Sequence, residues 1–179
     1  MNKLKAVVLL VALLLPVSIF LFLKYFGKNE FQVEPLYETE LPDWASSECA
    51  ISHILPYQVP DSILLGIGWN KSYRLTLFSF YAGASPAYER IMTNYPEQDV
   101  RLINVVVRDQ DFTPVRGLWT MPVDGELLAE WKKCFLFMSE PNDLILVDDE
   151  GRIRGYYQLD NREEIDRLLM ELSIMLNRY

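Results

Sequence analysis

A strand, a turn and a helix follow one another within residues 74–95, and this succession restricts the fold more than any other feature. Residues 75–80 form a hydrophobic run with the length of a buried strand. The turn ends in Ser85-Pro86, residue types that begin helices, and Pro96 stops the helical spacing of apolar residues. Residues 101–107 are almost continuously apolar, as in a strand covered on both faces. The pattern predicts a strand-helix-strand unit.

The last third of the chain predicts a hairpin and a closing helix. Residues 144–148 read as a buried strand, and residues 153–157 as the returning strand. Gly151 between them supplies the backbone freedom that a tight turn needs. From Asn161 onward, apolar residues recur on one helical face, which predicts an amphipathic terminal helix.

Other segments complete the predicted order. Residues 62–68 are predicted as a short strand that pairs with residues 74–80 through a turn at 69–72, and residues 125–134 as a helix. Residues 29–60 carry several prolines and scattered polar residues, so we expect an extended stalk or entry loop there. The folded domain is then expected over residues 61–179.

The amino-terminal segment, residues 1–28, is predicted to anchor the chain in a membrane. Residues 6–23 form an uncharged apolar run of 18 residues, flanked by lysines on both sides. About 20 residues span a bilayer core. No small-residue cleavage pattern follows the run, and the first cysteine is Cys49, so we expect an uncleaved signal anchor rather than a signal peptide or a lipid-modified terminus.

The charge of the remaining chain excludes some partners. After Lys28 the chain has 13 Lys plus Arg against 25 Asp plus Glu, a net charge of −12. Phosphate backbones and anionic headgroups would repel such a domain, so a nucleic-acid partner is not expected.

The chain resembles the Sco/SenC family in these elements. The likeness rests on the stretch 148–157 with its terminal helix, on the strand 101–107 leading to Thr113-Pro114, and on the membrane anchor. The resemblance implies an α/β, thioredoxin-like fold, a central mixed sheet flanked by helices, with one amino-terminal transmembrane helix. It also implies a domain on the periplasmic side of the bacterial inner membrane and a role in copper delivery during cytochrome oxidase assembly.

The copper ligands of that family are missing here. Its members place a CxxxCP motif after the first core strand and a histidine before a later strand, a ligand set that suits copper(I). In an ungapped comparison the two cysteine positions hold Tyr81 and Ser85, although Pro86 is kept, and the histidine position falls near Glu140. We therefore expect a degenerate site with no copper, no other metal and no cofactor.

The chain contains two cysteines, Cys49 and Cys134, and one histidine, His53. They leave three alternatives open: ordinary loop and core residues, a Cys49–Cys134 disulfide in an oxidising compartment, or a rebuilt copper or redox site. Acidic clusters, such as residues 148–150, lack calcium-loop spacing and read as solvated loops. Trp119, with Met121 and Pro122, is either packed or part of an exposed patch for a protein partner.

Two functions follow as expectations. The first is a non-catalytic, membrane-anchored protein that binds an unidentified protein partner, for instance during respiratory-complex assembly. The second is an active copper chaperone or thiol-disulfide oxidoreductase that uses Cys49, Cys134 and His53.

Overall fold

The structure, a computed structural model, describes residues 3–26, 32–49 and 54–176 in two compact units, Met1–Gln32 and Val33–Tyr179. The first unit contains helix α1, Lys3–Phe26, with Pro16 inside it. Among the residues that the structure describes, no helix combines the length and the apolar character that crossing a bilayer requires.

The second unit is built on a mixed sheet of five strands. These are β1 (Leu75–Ser79), β2 (Val100–Val107), β3 (Trp119–Val123), β4 (Leu144–Asp148) and β5 (Ile153–Tyr157), in the order β3-β2-β1-β4-β5. Strands β1, β2 and β3 run parallel, while β4 is antiparallel to β1 and β5 is antiparallel to β4. Every residue of β1 and β4 is buried, as expected for strands that helices cover on both faces.

Five helices accompany the sheet: α2 (Asp43–Glu48), α3 (Asp61–Gly66), α4 (Pro86–Asn94), α5 (Gly125–Cys134) and α6 (Arg162–Met175). One face of the sheet packs against α4 and α6, through side chains such as Tyr88, Ile91, Leu168 and Leu172. The other face packs against α3 and α5 and against the segment before them. The order β1-α4-β2, then the β4-β5 hairpin and α6, makes this a thioredoxin-like fold.

Most predicted elements are confirmed within one residue at the strand ends. The exception is residues 62–68, where the prediction of a strand was wrong: α3 begins after Pro60 and buries Ile63, Leu64 and Ile67. Those positions lie on one side of a helix, whereas a strand would alternate. The predicted first hairpin is therefore absent, and β3, which the sequence did not predict, completes the sheet beside β2.

The segment expected to be an extended stalk instead packs on the folded unit from residue 33 onward. The Leu36 amide donates to the Ile153 carbonyl at 2.8 Å, and the Val59 amide donates to the Gly151 carbonyl at 2.9 Å. The aromatic ring of Tyr37 lies edge-on to Phe137, with ring centroids 5.1 Å apart. Buried aromatic area holds this segment in place despite its prolines. Residues 29–31 and 50–53 of the predicted stalk lie outside the described residues.

Candidate functional site

The turn after β1 is fixed by its own backbone chemistry. Ser85 is the N-cap of α4: its backbone is extended, and its hydroxyl oxygen accepts a hydrogen bond from the Ala87 amide at 3.3 Å. Pro86 occupies the first helical position, where its missing N–H costs nothing. Ser85 therefore serves the helix, and it has no base beside it that would make the hydroxyl a nucleophile among the contacts described for the turn.

Tyr81 is held at the start of the same turn. Its backbone amide donates to the Ser79 hydroxyl at 3.3 Å. Its phenol is hydrogen-bonded to Asp160, and this bond raises the pKa of Tyr81 above its usual value. Gly83 packs on the ring so closely that a Cβ there would lie 2.7 Å from it. The phenol is a hydrogen-bonding group at a position where a thiolate would be a nucleophile or a metal ligand.

A buried polar network lies beneath the turn. The Ser79 and Tyr88 hydroxyls are 2.6 Å apart, and burial raises the pKa of Tyr88 to about 12. Asn104 on β2 is fully buried, and with its side-chain amide oriented so that the nitrogen faces them, it donates to the carbonyls of Ser79 and Tyr81, each at 3.1 Å. These bonds satisfy buried polar groups and hold the end of β1 in one conformation.

Glu140, the third residue that the resemblance singled out, comes to the same end of the sheet. It precedes β4, whose first residue, Leu144, pairs with Ser79 at the end of β1. The Phe80 amide donates to the Asp143 carbonyl at 2.8 Å, which joins the two segments. The structure thus places Tyr81, Ser85 and Glu140 around one end of the sheet, but none of the three supplies a thiolate or an imidazole.

Asp143, which sequence reasoning missed, is the partly buried carboxyl at this end. One of its oxygens accepts from the Leu159 amide at 2.7 Å. Burial raises the pKa of Asp143, and this hydrogen bond partly opposes the shift. Asp160 and Tyr88 lie near enough to interact with it. The Asp143 carboxyl is therefore a partly buried titratable group beneath the turn.

A cleft of about 500 Å³ opens beside the turn, between the ends of β1 and β2 and helix α5. The apolar part of its lining comes from the sheet, from α5 and from the segment that follows α5: Phe80, Val105, Val107, Leu128 and Met138. Its polar part includes Gln110, Lys132, Glu140 and Asn142. In open α/β sheets, ligands bind outside the carboxyl ends of the parallel strands, and this cleft lies at that end.

The two lysines of the cleft have different surroundings. The Lys132 ammonium lies 5.4 Å from the centroid of the Phe80 ring, and among the described residues it has no carboxylate oxygen within 4.0 Å. Lys133 is paired with Glu48 at 2.7 Å. Only three lysines follow Lys28, and two of them line this cleft. The Lys132-Lys133 pair in an acidic chain was the sequence signal that could have indicated the cleft.

The two cysteines lie on the other side of the sheet from Tyr81 and Ser85. Cys49 and Cys134 form a disulfide, with Cα atoms 5.5 Å apart and a sequence separation of 85. Their side chains are 5% and 8% exposed, in the core cluster that contains α3 and α5. Since the chain has two cysteines, it has no free thiol. His53 lies outside the described residues.

The other candidate residues have structural roles. Asp148 is buried, accepts from the Glu150 and Arg152 amides at 2.9 Å each, and pairs with the guanidinium groups of Arg152 and Arg154. The Asp148 carboxylate therefore stabilises the β4-β5 turn and is not a metal ligand in this structure. Across the parts of the chain that are described, no group of three or more His, Cys, Asp and Glu side chains could hold a metal ion.

Trp119 is 55% exposed at the start of edge strand β3. Its indole nitrogen donates to Glu97 at 2.9 Å, and its ring and that of Tyr73 each lie 4.6 Å from the Arg101 guanidinium. Met121 is half-buried against the core, and Pro122 is exposed. The three predicted patch residues are thus divided between the surface and the core.

No protein-family model and no curated protein matches the chain. Solved structures with a similar chain path include a provisionally assigned protein disulfide isomerase from Bacteroides thetaiotaomicron, at 21% identity and a TM-score of 0.40, covering 59% of this chain and 75% of that one. They also include BsSco, a member of the Sco family of cytochrome c oxidase assembly proteins, at 13% identity and a TM-score of 0.39, covering 60% and 81%.

A thioredoxin-like superfamily protein is similar at 15% identity and a TM-score of 0.35, covering 59% of this chain and 82% of that one. At such identities a shared chain path does not establish shared chemistry. The strand order of this chain identifies its thioredoxin-like fold. Its chemistry depends on the residues at the turn, the cleft and the disulfide.

Proposed function

We propose that this chain is a membrane-anchored, extracytoplasmic protein of the Sco/SenC type that acts without catalysis, by binding a protein partner during respiratory-complex assembly. One observation carries the proposal: the two positions where that family places its thiols hold Tyr81 and Ser85, and both side chains form structural hydrogen bonds. On this proposal, the chain keeps the scaffold of a redox or copper site without its reactive groups.

The disulfide supports the non-catalytic part of the proposal. A catalytic thiol pair must reach its substrate, whereas Cys49 and Cys134 are buried in the core. The bond also joins the segment containing α2 to α5, which is the role of a structural crosslink.

Two features support the location. Stable disulfides persist in oxidising compartments outside the cytoplasm. The apolar run at residues 6–23 has nearly the length of a membrane span, and the free amino terminus favours a cytoplasmic start, with the domain in the periplasm. The anchor and the orientation both belong to the proposal.

A copper(I) titration of the full chain, both with its disulfide intact and after the disulfide has been reduced, tests the chemistry. We expect no stoichiometric binding by the natural chain. A matched variant carrying Tyr81→Cys, Ser85→Cys and Glu140→His should gain one copper site, because it restores two thiolates and an imidazole at one end of the sheet. Copper binding by the natural chain that is lost in Cys49→Ser or Cys134→Ser would instead establish the alternative that uses Cys49, Cys134 and His53.

Affinity capture of the full chain from detergent-solubilised membranes tests the partner. Recovery of cytochrome oxidase subunits would support the assembly role. Reproducible recovery of other proteins, with no oxidase subunit, would contradict it while leaving the binding function intact.

A further inference from the structure

We propose that the cleft between β1, β2 and α5 binds a small carboxylate with an aliphatic body. This goes beyond the protein partner proposed above and does not depend on it. The site combines an apolar lining, amide groups that can donate hydrogen bonds, and the Lys132 ammonium, which has no ion-pair partner among the described residues.

The size and lining of the cleft fit a small ligand. Its volume of about 500 Å³ lies within the roughly 300–1,000 Å³ of ordinary small-molecule sites. Phe80, Val105 and Leu128 supply the apolar surface against which an aliphatic chain would be buried. The cleft also lies outside the carboxyl ends of parallel strands, where α/β sheets bind ligands.

The charge of the ligand follows from Lys132. Its ammonium lies over the Phe80 ring and faces the same cleft as that ring, so one charged end and one apolar body can be bound together. Within the described part of the chain, Lys133 is paired with Glu48, whereas Lys132 has no carboxylate within ion-pair distance and interacts with Asp143 only from farther away. An ammonium of this kind attracts an anion, and charge-assisted hydrogen bonds are the stronger ones.

The remaining lining limits the ligand to one negative charge. Glu140 is an exposed carboxylate of the same cleft, and it would repel a second anionic group. The net charge of −12 after Lys28 acts in the same direction on polyanions. Gln110 and Asn142 carry amide nitrogens that can donate to a carboxylate oxygen. A monocarboxylate therefore fits better than a phosphate ester or a nucleotide.

The test is a titration of the isotope-labelled full chain with hexanoate, and separately with 1-hexanol, followed by amide NMR shifts. We expect saturable shifts at Val107, Gln110 and Lys132, with hexanoate binding about tenfold more tightly than hexanol because only the acid has a charged contact. Shifts confined to other regions, or equal affinity for the two ligands, would overturn the proposal.

Two charge variants sharpen the test. Lys132→Met keeps the apolar stem and should reduce hexanoate affinity to that of hexanol, while Lys71→Met, which removes an exposed lysine outside the cleft, should change neither. Glu140→Gln should tighten hexanoate about two- to threefold by removing repulsion. If Lys132→Met weakened both ligands equally, or if Glu140→Gln weakened hexanoate, the assignment would be wrong.

Discussion

Two regions of this domain could support cysteine chemistry, and they are opposite in character. The turn after β1 is partly accessible, adjoins a cleft and lies where a substrate could approach, yet it contains Tyr81 and Ser85. The Cys49–Cys134 pair has the thiols but lies buried on the other face of the sheet. The accessible turn therefore has no thiol, and the two cysteines are joined in a buried disulfide.

The strongest test of this comparison is removal of the disulfide by Cys49→Ser and Cys134→Ser together. Because the bond closes a loop with a sequence separation of 85, chain entropy predicts a loss of roughly 4.5 kcal/mol in the free energy of unfolding. Urea denaturation of the full chain measures it. A reductant should destabilise the natural chain but not the double variant. A double variant as stable as the natural chain would show that the bond does not carry structural weight.

A smaller effect is expected at the turn. Ser85→Ala removes the N-cap hydrogen bond to Ala87 and should lower the free energy of unfolding by about 1 kcal/mol. Ser85→Asp is the matched control, since aspartate also caps helices and should retain most of the stability. If both substitutions were neutral in denaturation, the capping role of Ser85 would be refuted.

The smallest effect concerns pH and the carboxyl beneath the turn. Burial raises the pKa of Asp143 in the folded chain above its unfolded value near 4, so the protonated form favours folding. That contribution is complete below the unfolded pKa and is lost as the pH rises through the folded one. Melting temperatures measured upward from about pH 4 should therefore fall more for the natural chain than for Asp143→Asn.

Asp109→Asn, in an exposed loop, is the control for that experiment and should leave the pH profile unchanged. A profile for Asp143→Asn that coincides with that of the natural chain would show that Asp143 does not titrate differently in the folded state.

The sequence predicted the parts of the fold in which one physical signal dominates. Strands β2 and β4 are continuous apolar runs, and α6 combines an Asn161 cap with a regular apolar face. The prediction of a strand at residues 62–68 was wrong because a short apolar run fits a strand or a helix equally well, and only its packing decides between them. Edge strand β3 was not predicted because it contains the exposed residues Trp119 and Pro122, which are not typical of a buried strand.

The candidate site was predictable only in part. Tyr81, Ser85 and Glu140 were identified only through the resemblance to the Sco/SenC family, whose motif positions fall on them in an ungapped comparison. The cleft and Lys132 were not predictable in the same way, since the cleft arises where α5 meets residues from β1 and β2 that are distant in sequence. The packing of residues 33–60 was missed because prolines obscured the contribution of buried aromatic residues such as Tyr57.

The position of the disulfide also decides what a protease can do to this domain. The exposed loop at residues 108–114 is an accessible segment for cleavage, and it lies between Cys49 and Cys134 in sequence. A single cut there leaves both products covalently joined, so the cleaved chain migrates as one species until it is reduced. The disulfide therefore keeps the domain one covalent molecule after a cut in this loop.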